Sequence, residues 1–153
     1  MSKGLNRSKI VIGLPTYGHS FRLVNPFNTR MGAPAEGFGS VGASGFVTYS
    51  DVCYLRKMNF NVRMQYDVET CSPYLFTGNE WISYEDERSL TCKTNFMKNN
   101  NFAGIMVFSL NTDDYVSDCD DSKLNENAGK KGEKTDFPLL RKIHSILFQN
   151  ATH

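Results

Sequence analysis

The sequence lacks an excess of charge of either sign. Seventeen Lys and Arg residues oppose sixteen Asp and Glu residues, which leaves a net charge of +1. Proteins that attract nucleic acids or acidic membrane surfaces over a distance usually carry a strong positive balance. We therefore expect no nucleic-acid partner and no membrane partner. With 40% hydrophobic residues, the chain can still build a folded core.

Long apolar runs are also missing. A helix that spans a bilayer needs about 20 mostly apolar residues, and the longest apolar runs, residues 9–14 and 103–108, are far shorter. Residues 1–9 contain no apolar segment of the kind found in secretory signals. The sequence predicts neither a spanning helix nor a signal peptide in this chain.

Close cysteine pairs are absent as well. The sequence contains four cysteines, Cys53, Cys71, Cys92 and Cys119. None of them forms the C-x-x-C pair of zinc ribbons and redox motifs, and no phosphate motif occurs, so we expect no metal and no cofactor. The even count and two N-x-S/T sequons, at Asn6 and Asn150, fit a secretory setting with two disulfides. Spacing leaves all three pairings open, and four free buried thiols are the alternative.

Two apolar runs, residues 9–15 and 104–110, are typical of parallel strands that are buried on both faces. Residues 86–100 predict a helix that Asp86 caps, with Leu90, Phe96 and Met97 on one face. A last helix has Pro138 in its first turn. Its apolar stripe comprises Leu139, Leu140, Ile143, Ile146 and Leu147. This order of helix and buried strand indicates β/α repeats.

Residues 20–83 differ in composition and are rich in Gly, Ser, Tyr and Phe. Short aromatic and β-branched pieces predict strands at residues 45–49, 61–66, 73–76 and 81–84. The clearest turn signal lies at residues 77–79, and residues 50–58 predict a short helix. We expect a small antiparallel α+β unit inserted in a β/α frame. A polar loop is expected at residues 117–135.

Two parallel strands and two helices do not make a complete β/α fold. Their outer strand edges would stay unpaired and their apolar faces would stay exposed. A (β/α)8 barrel needs about 250 residues. We therefore expect the chain to supply only part of one.

Several motifs together resemble a known family. Residues 9–21, KIVIGLPTYGHSF, resemble the seventh barrel strand of the chitinases and chitinase-like lectins of glycoside hydrolase family 18. Further matches follow in that family's order at residues 29–35, 49–53, 78–86, 101–115 and 137–140. The resemblance covers about residues 8–148.

The resemblance implies an α/β fold, a partial TIM (β/α)8 barrel with strand 7, helix 7, strand 8 and helix 8. Residues 1–19 and 84–153 would form the barrel part, and residues 20–83 the inserted antiparallel α+β domain. Family members are secreted and bind β-1,4-linked N-acetylglucosamine polymers, so the expected partners are chitin or chito-oligosaccharide and the missing barrel part, in an extracellular location. Cys53 and Cys119 match a pair that is bridged in many members, which leaves Cys71 and Cys92 for each other.

The family's catalytic acid lies in a D-x-x-D-x-D-x-E motif, and the substrate's own N-acetyl oxygen serves as the nucleophile. This motif is absent from the sequence. The acidic pairs that are present, at residues 85–86, 113–114 and 120–121, are interpreted as solvated turn or cap carboxylates. We expect no catalytic residue here. The chain is then either a piece of a chitinase-like lectin or a truncated portion of an active chitinase.

The resemblance also implies candidate sugar-binding residues, each with an alternative. Tyr17 matches a cleft tyrosine, or it packs at a strand end. His19 stands where the family has Arg, and the alternative is a merely exposed histidine. Asp51 matches an acidic residue that meets the sugar, or it caps a helix. Met106 matches a methionine that faces the cleft, or it belongs to the core.

Phe108 replaces the family's Trp, on which the central sugar stacks. Phenylalanine keeps an aromatic face but offers less area and no N–H donor. Asn111 replaces the following acidic residue, which favours a lectin. Trp81 is expected to pack within the inserted unit. A third hypothesis is that this unit folds alone while the barrel elements aggregate or dock onto another chain.

Overall fold

The computed structural model describes residues 4–119 and 136–148. Over these residues the chain forms eight strands and three α-helices. The strands are β1 (Val11–Pro15), β2 (Tyr17–Leu23), β3 (Ala35–Phe38), β4 (Phe46–Thr48), β5 (Arg63–Asp67), β6 (Ser72–Thr77), β7 (Glu80–Ser83) and β8 (Gly104–Phe108). The helices are α1 (Tyr49–Met58), α2 (Glu87–Asn99) and α3 (Pro138–Phe148). The polar loop expected at residues 117–135 lies mostly outside the described residues.

The strands β1 and β8 form a parallel pair, as the two apolar runs predict, with Val11 opposite Gly104 and Pro15 opposite Phe108. The sequence pattern predicts burial of both faces, which is wrong for this chain, whereas the exposure expected of an incomplete β/α fold agrees with the structure. One face packs on the core, but on the other Val11 is 56% exposed and Phe108 58% exposed. The physical reason is that, among the described residues, no further strand extends this two-stranded sheet, so no closed sheet is present to cover this face.

The second sheet is antiparallel and has the strand order β3-β2-β7-β6-β5, with β4 also paired to β2. It confirms the strands and the turn expected between residues 45 and 84. Strands β2 and β3 were not predicted from the sequence, and Thr16 alone separates β2 from β1. The expected boundary at residues 19 and 20 falls within β2 and stays a prediction. At Gly18 an added Cβ would lie 2.0 Å from the Ser83 carbonyl oxygen, so the close approach of β2 and β7 requires glycine there.

One continuous core joins the two sheets and the helices. Its buried members come from both sheets and from all three helices, and the parallel sheet contributes Leu14. They include Val47, Val52, Leu75, Ile82, Leu90 and Leu139. In α2 the predicted cap is confirmed, because Asp86 Oδ1 accepts a hydrogen bond of 2.7 Å from the Ser89 amide. Phe96 was placed on the buried face of α2, which is wrong, since its side chain is largely exposed. The stripe predicted for α3 is confirmed by the buried Leu139, Ile143 and Ile146.

Two disulfides cross-link the fold, and they are the pairs that the family resemblance implies. Cys53 in α1 is joined to Cys119, with Cα atoms 5.0 Å apart. Cys71, between β5 and β6, is joined to Cys92 in α2, with Cα atoms 6.2 Å apart. The alternative of four free thiols is therefore wrong.

Alkaline pH should weaken the fold through Tyr84, which is buried beside Asp86. Burial, with a smaller effect of the Asp86 carboxylate, raises the pKa of Tyr84 from 10.0 to about 12. The tyrosine thus ionises more easily in the unfolded chain, so stability is intact below pH 10 and is lost as the pH rises through 12. We expect a loss of about 2 to 3 kcal/mol from this group, measured by urea unfolding at a series of pH values.

The variant Tyr84→Phe keeps most of the packing and removes the titration, so its stability should fall less over this range. Tyr115→Phe, at an exposed tyrosine, serves as the matched control. Parallel pH profiles for Tyr84→Phe and the original protein would contradict the assignment.

Candidate functional site

Four ring side chains, Tyr17, His19, Phe46 and Phe108, meet at one end of the parallel sheet and form what we call the aromatic surface. The Tyr17 ring stacks on the Phe46 ring with centroids 4.8 Å apart. It meets the Phe108 ring edge-on at 6.3 Å and the His19 ring edge-on at 5.6 Å. Two of the rings, those of His19 and Phe108, are exposed.

Strand periodicity explains why the rings share a side. Alternate residues of a strand point the same way, so Tyr17 and His19 leave β2 on one face. Strand β4 pairs antiparallel with β2, which places Phe46 opposite His19. Phe108 ends β8 next to the start of β2, and the Thr16 amide donates a hydrogen bond of 3.1 Å to the Phe108 carbonyl oxygen.

Thr16 is the single residue between β1 and β2, and it is almost fully buried. Its hydroxyl donates a hydrogen bond of 2.7 Å to the Ser109 carbonyl oxygen and lies 2.7 Å from the Thr112 hydroxyl. These bonds tie the junction between the two sheets to the residues that follow β8. A cis peptide bond joins Phe108 to Ser109.

Met106 precedes Phe108 by two residues and therefore lies on the same exposed face of β8. Its side chain is 50% exposed, so it is not part of the core. A Cβ added at Gly13 would lie 3.4 Å from the Met106 methyl carbon, which shows that Met106 extends over the neighbouring strand. This position makes it available for contact with a molecule on the exposed face of the parallel sheet.

Asp51 lies in the first turn of α1 and contacts Thr48, the residue of β4 that lies opposite Tyr17. Its Oδ2 accepts hydrogen bonds of 2.8 Å from the backbone amide and from the hydroxyl of Thr48, and Thr48 Oγ1 accepts a bond of 3.1 Å from the Asp51 amide. This is a capping box. The helix-capping alternative is thus what the structure shows for Asp51, and contact with a sugar stays a prediction.

The acidic pair at residues 113–114 supports the fold. Asp113 accepts hydrogen bonds from the Leu139 and Leu140 amides at 3.3 and 2.9 Å, so it caps the start of α3. Asp114 accepts bonds from the Ser50 hydroxyl at 3.0 Å and the Cys119 amide at 2.7 Å. The cap role expected for this pair is what Asp113 shows. The solvation that was also expected is wrong, because both side chains are buried. Burial raises the pKa of Asp113, although backbone hydrogen bonds oppose this effect.

The acidic pair at residues 85–86 also has partners in the fold. Glu85 is buried and forms an ion pair with Lys93, and Asp86 caps α2. The pair at residues 120–121 lies outside the described residues. Asn111, which stands in the family's acidic position, accepts a hydrogen bond of 2.7 Å from the Ser109 hydroxyl.

Phe46 is not among the predicted site residues, although its ring stacks directly on that of Tyr17. The alternation in residues 45–49 predicts its strand, but only the register of β4 against β2 brings the two rings together. Trp81 packs in the antiparallel sheet as expected. Its ring stacks on Tyr74 at 5.2 Å, and its Nε1 donates a hydrogen bond of 3.1 Å to the Thr29 carbonyl oxygen.

The arrangement is suited to stacking against a flat apolar face, such as that of a sugar ring. Aromatic side chains combine a large apolar area with a defined geometry. Over residues 4–119 and 136–148 there is no group of three or more His, Cys, Asp or Glu side chains that could hold a metal ion. No helix of those same ranges is long and apolar enough to cross a membrane.

The chain is similar in sequence to a family of known proteins. The model of the glycosyl hydrolases family 18 matches residues 1–113. The chain is 35% identical to human chitinase-3-like protein 2 over 149 residues, which is 95% of this chain and 34% of that protein. It is 33% identical to putative chitinase 1 of Margaritifera margaritifera, over 94% of this chain and 27% of that protein.

Solved structures show the same likeness. The Group IV chitinase of Ostrinia furnacalis superposes with a TM-score of 0.79 at 31% identity, covering 92% of this chain and 36% of that one. Human YKL-39, described as a pseudo-chitinase with retained chitooligosaccharide binding properties, also has a TM-score of 0.79, at 33% identity, over 95% of this chain and 36% of that one. The chain therefore spans about a third of the length of these relatives.

Proposed function

The chain belongs to glycosyl hydrolases family 18, and from this membership we propose that it is part of a secreted chitinase-like protein that binds β-1,4-linked N-acetylglucosamine oligomers. The aromatic surface is the binding surface, and the chain by itself does not hydrolyse the bound sugar. The observation that carries the proposal is the meeting of Tyr17 and Phe108, from two different sheets, at the exposed end of the parallel strands.

In this proposal β1 and β8 are the last two strands of a (β/α)8 barrel, the fold of the family's chitinases. The helices α2 and α3 are the outer helices, and residues 20–83 are the inserted domain. The faces of the parallel pair support this assignment. Ile12 and Val107 pack on the side that faces the helices, which is the outer side of the sheet in a barrel. Val11 and Met106 lie exposed on the opposite side, which would be the interior of a complete barrel.

The five candidate residues take separate roles. Tyr17 and Phe108 stack against sugar rings, and Met106 adds apolar contact on the same side. His19, exposed beside Tyr17, donates or accepts one hydrogen bond. Asp51 already bonds to Thr48, so it acts mainly by holding the turn that carries β4 into α1.

Calorimetric titration with chitotetraose tests the proposed surface. We expect weak binding by the intact chain, and a further loss of about two- to tenfold for Phe108→Ala, because an aromatic stacking contact is worth roughly 0.5 to 1.5 kcal/mol. Phe108→Trp should tighten binding, since indole offers more area and an N–H donor.

Phe60→Ala is the matched control, because Phe60 is 98% exposed and lies outside the aromatic surface. It should leave the affinity unchanged. Equal losses in Phe108→Ala and Phe60→Ala, or no loss in either, would contradict the assignment of the surface.

Incubation with chito-oligosaccharides should release no reducing sugar. The sequence lacks the D-x-x-D-x-D-x-E motif, and general acid catalysis alone is worth about 10²- to 10⁴-fold in rate. Release of reducing sugar by the purified chain, above that of a heat-inactivated sample, would contradict the proposal.

A second candidate is a portion of an active chitinase whose acid lies elsewhere in the protein. The identity of 33% to putative chitinase 1 favours it. The replacement of the family's Trp by Phe108 favours the lectin. Genomic sequence upstream of Met1 distinguishes the two, because an intact D-x-x-D-x-D-x-E motif there would support the enzyme.

A further inference from the structure

The residues Asn6, Arg7 and Ser8 precede β1 and form an exposed sequon. Arg7 begins a single 3-10 turn that Asn6 caps. Asn6 Oδ1 accepts a hydrogen bond of 3.0 Å from the Ser8 amide and one of 2.8 Å from the Ser8 hydroxyl. The hydroxyl that the sequon requires is therefore in direct contact with the Asn6 carboxamide.

We propose that Asn6 is an attachment site for an N-linked oligosaccharide. In this reaction Asn6 Nδ2 attacks the anomeric carbon of an oligosaccharide carried on a polyprenyl pyrophosphate. A carbon–nitrogen bond forms, the bond from that carbon to the phosphate oxygen breaks, and the pyrophosphate keeps the electron pair. Nδ2 loses one proton to a base of the transferase.

Two further observations support this site. The disulfides joining Cys53 to Cys119 and Cys71 to Cys92 require an oxidising compartment, and N-linked oligosaccharides are added on entry to the same secretory route. The folded chain also leaves Asn6 exposed, so a bulky sugar meets no packed side chain there.

The position of Asn6 keeps such an oligosaccharide away from the aromatic surface. Asn6 lies before the amino end of β1, whereas Tyr17 follows its carboxyl end. Five residues of strand separate the two ends, a distance of about 17 Å. Modification at Asn6 is therefore compatible with sugar binding at Tyr17 and Phe108.

The test is secretion of the whole chain from eukaryotic cells behind an added signal peptide. Because Asn150 begins a second sequon, all forms carry Asn150→Gln. We expect the protein to move faster in gel electrophoresis after enzymatic removal of N-glycans, with Asn6 converted to Asp in the peptide mass spectrum. Both changes should be lost in Asn6→Gln and in Ser8→Ala, and kept in Ser8→Thr, which retains the hydroxyl.

An unmodified Asn6, in the secreted protein and in the fraction retained inside the cell, would overturn the proposal. So would a mobility change that persists in Asn6→Gln. Chitotetraose titration of the glycosylated and deglycosylated forms should give equal affinities. If neither form binds, the proposed function fails while the assignment of Asn6 is unaffected.

Discussion

Removing the disulfide between Cys53 and Cys119 should lower the free energy of unfolding by about 4 kcal/mol, since these cysteines lie 66 residues apart and the bond closes a long loop. The variant Cys53→Ala/Cys119→Ala would be compared with the original protein by equilibrium urea unfolding. In the chain-entropy model the unfolded chain gains conformational freedom when the link is absent. The bond also joins α1 to the segment after β8, so its loss removes a covalent link between these two parts of the fold.

The other disulfide provides the comparison. Cys71 and Cys92 are 21 residues apart, and their replacement by alanine should cost less, about 3 kcal/mol. A loss below about 1 kcal/mol for the Cys53/Cys119 variant would contradict the prediction. It would also show that noncovalent contacts are sufficient to hold α1 and the segment after β8 in place.

Asp114→Ala should cost about 3 kcal/mol or more. The carboxylate is fully buried and accepts hydrogen bonds from the Ser50 hydroxyl and from the Asp118 and Cys119 amides. Truncation leaves these donors without their acceptor in the interior, and an unsatisfied buried polar group costs roughly 1 to 3 kcal/mol. Urea unfolding measures the loss.

Glu69→Ala is the control, because Glu69 is an exposed acidic residue and its truncation should change stability by less than about 0.5 kcal/mol. Asp114 bonds to the amide of Cys119, so the two sites are coupled. In the variant without the Cys53–Cys119 bond, Asp114→Ala should therefore cost less than it does alone. If the losses of stability from Asp114→Ala and from removal of the disulfide simply add, the carboxylate acts independently of the disulfide.

Local sequence patterns were sufficient for most of the secondary structure. Alternation and turn residues predict β5, β6 and β7, and the capping residue and apolar spacing predict α2 and α3, because each of these signals acts within a few residues. Strand β2 was not predicted, because only Thr16 separates it from β1 and no loop in the sequence marks where one strand ends and the next begins.

Long-range placement was harder to predict. From the sequence, Asp113 and Asp114 are expected to be solvated. Nothing close to them in the sequence indicates that Asp113 accepts hydrogen bonds from two amides of α3, 26 and 27 residues later. The stacking of Phe46 on Tyr17 depends on the register between two strands. The burial expected for β1 assumed further strands of the same sheet, and among the described residues only β8 pairs with β1.

The site residues themselves came from motifs rather than from geometry. Tyr17 and Phe108 were selected by resemblance, and the structure brings their rings together. Asp51 was selected for the same reason, but its carboxylate bonds to Thr48. Sequence resemblance predicts which positions to inspect, whereas only coordinates reveal whether a polar group is already engaged.

The buried hydroxyl of Thr16 has a consequence for ligand affinity. This hydroxyl anchors the one-residue junction to Ser109 and Thr112. The angle between the parallel pair and the antiparallel sheet is therefore already fixed in the ligand-free protein. On the proposed binding surface, a carbohydrate that contacts Tyr17 and Phe108 together would meet preorganised side chains, so the protein would lose little conformational freedom on binding.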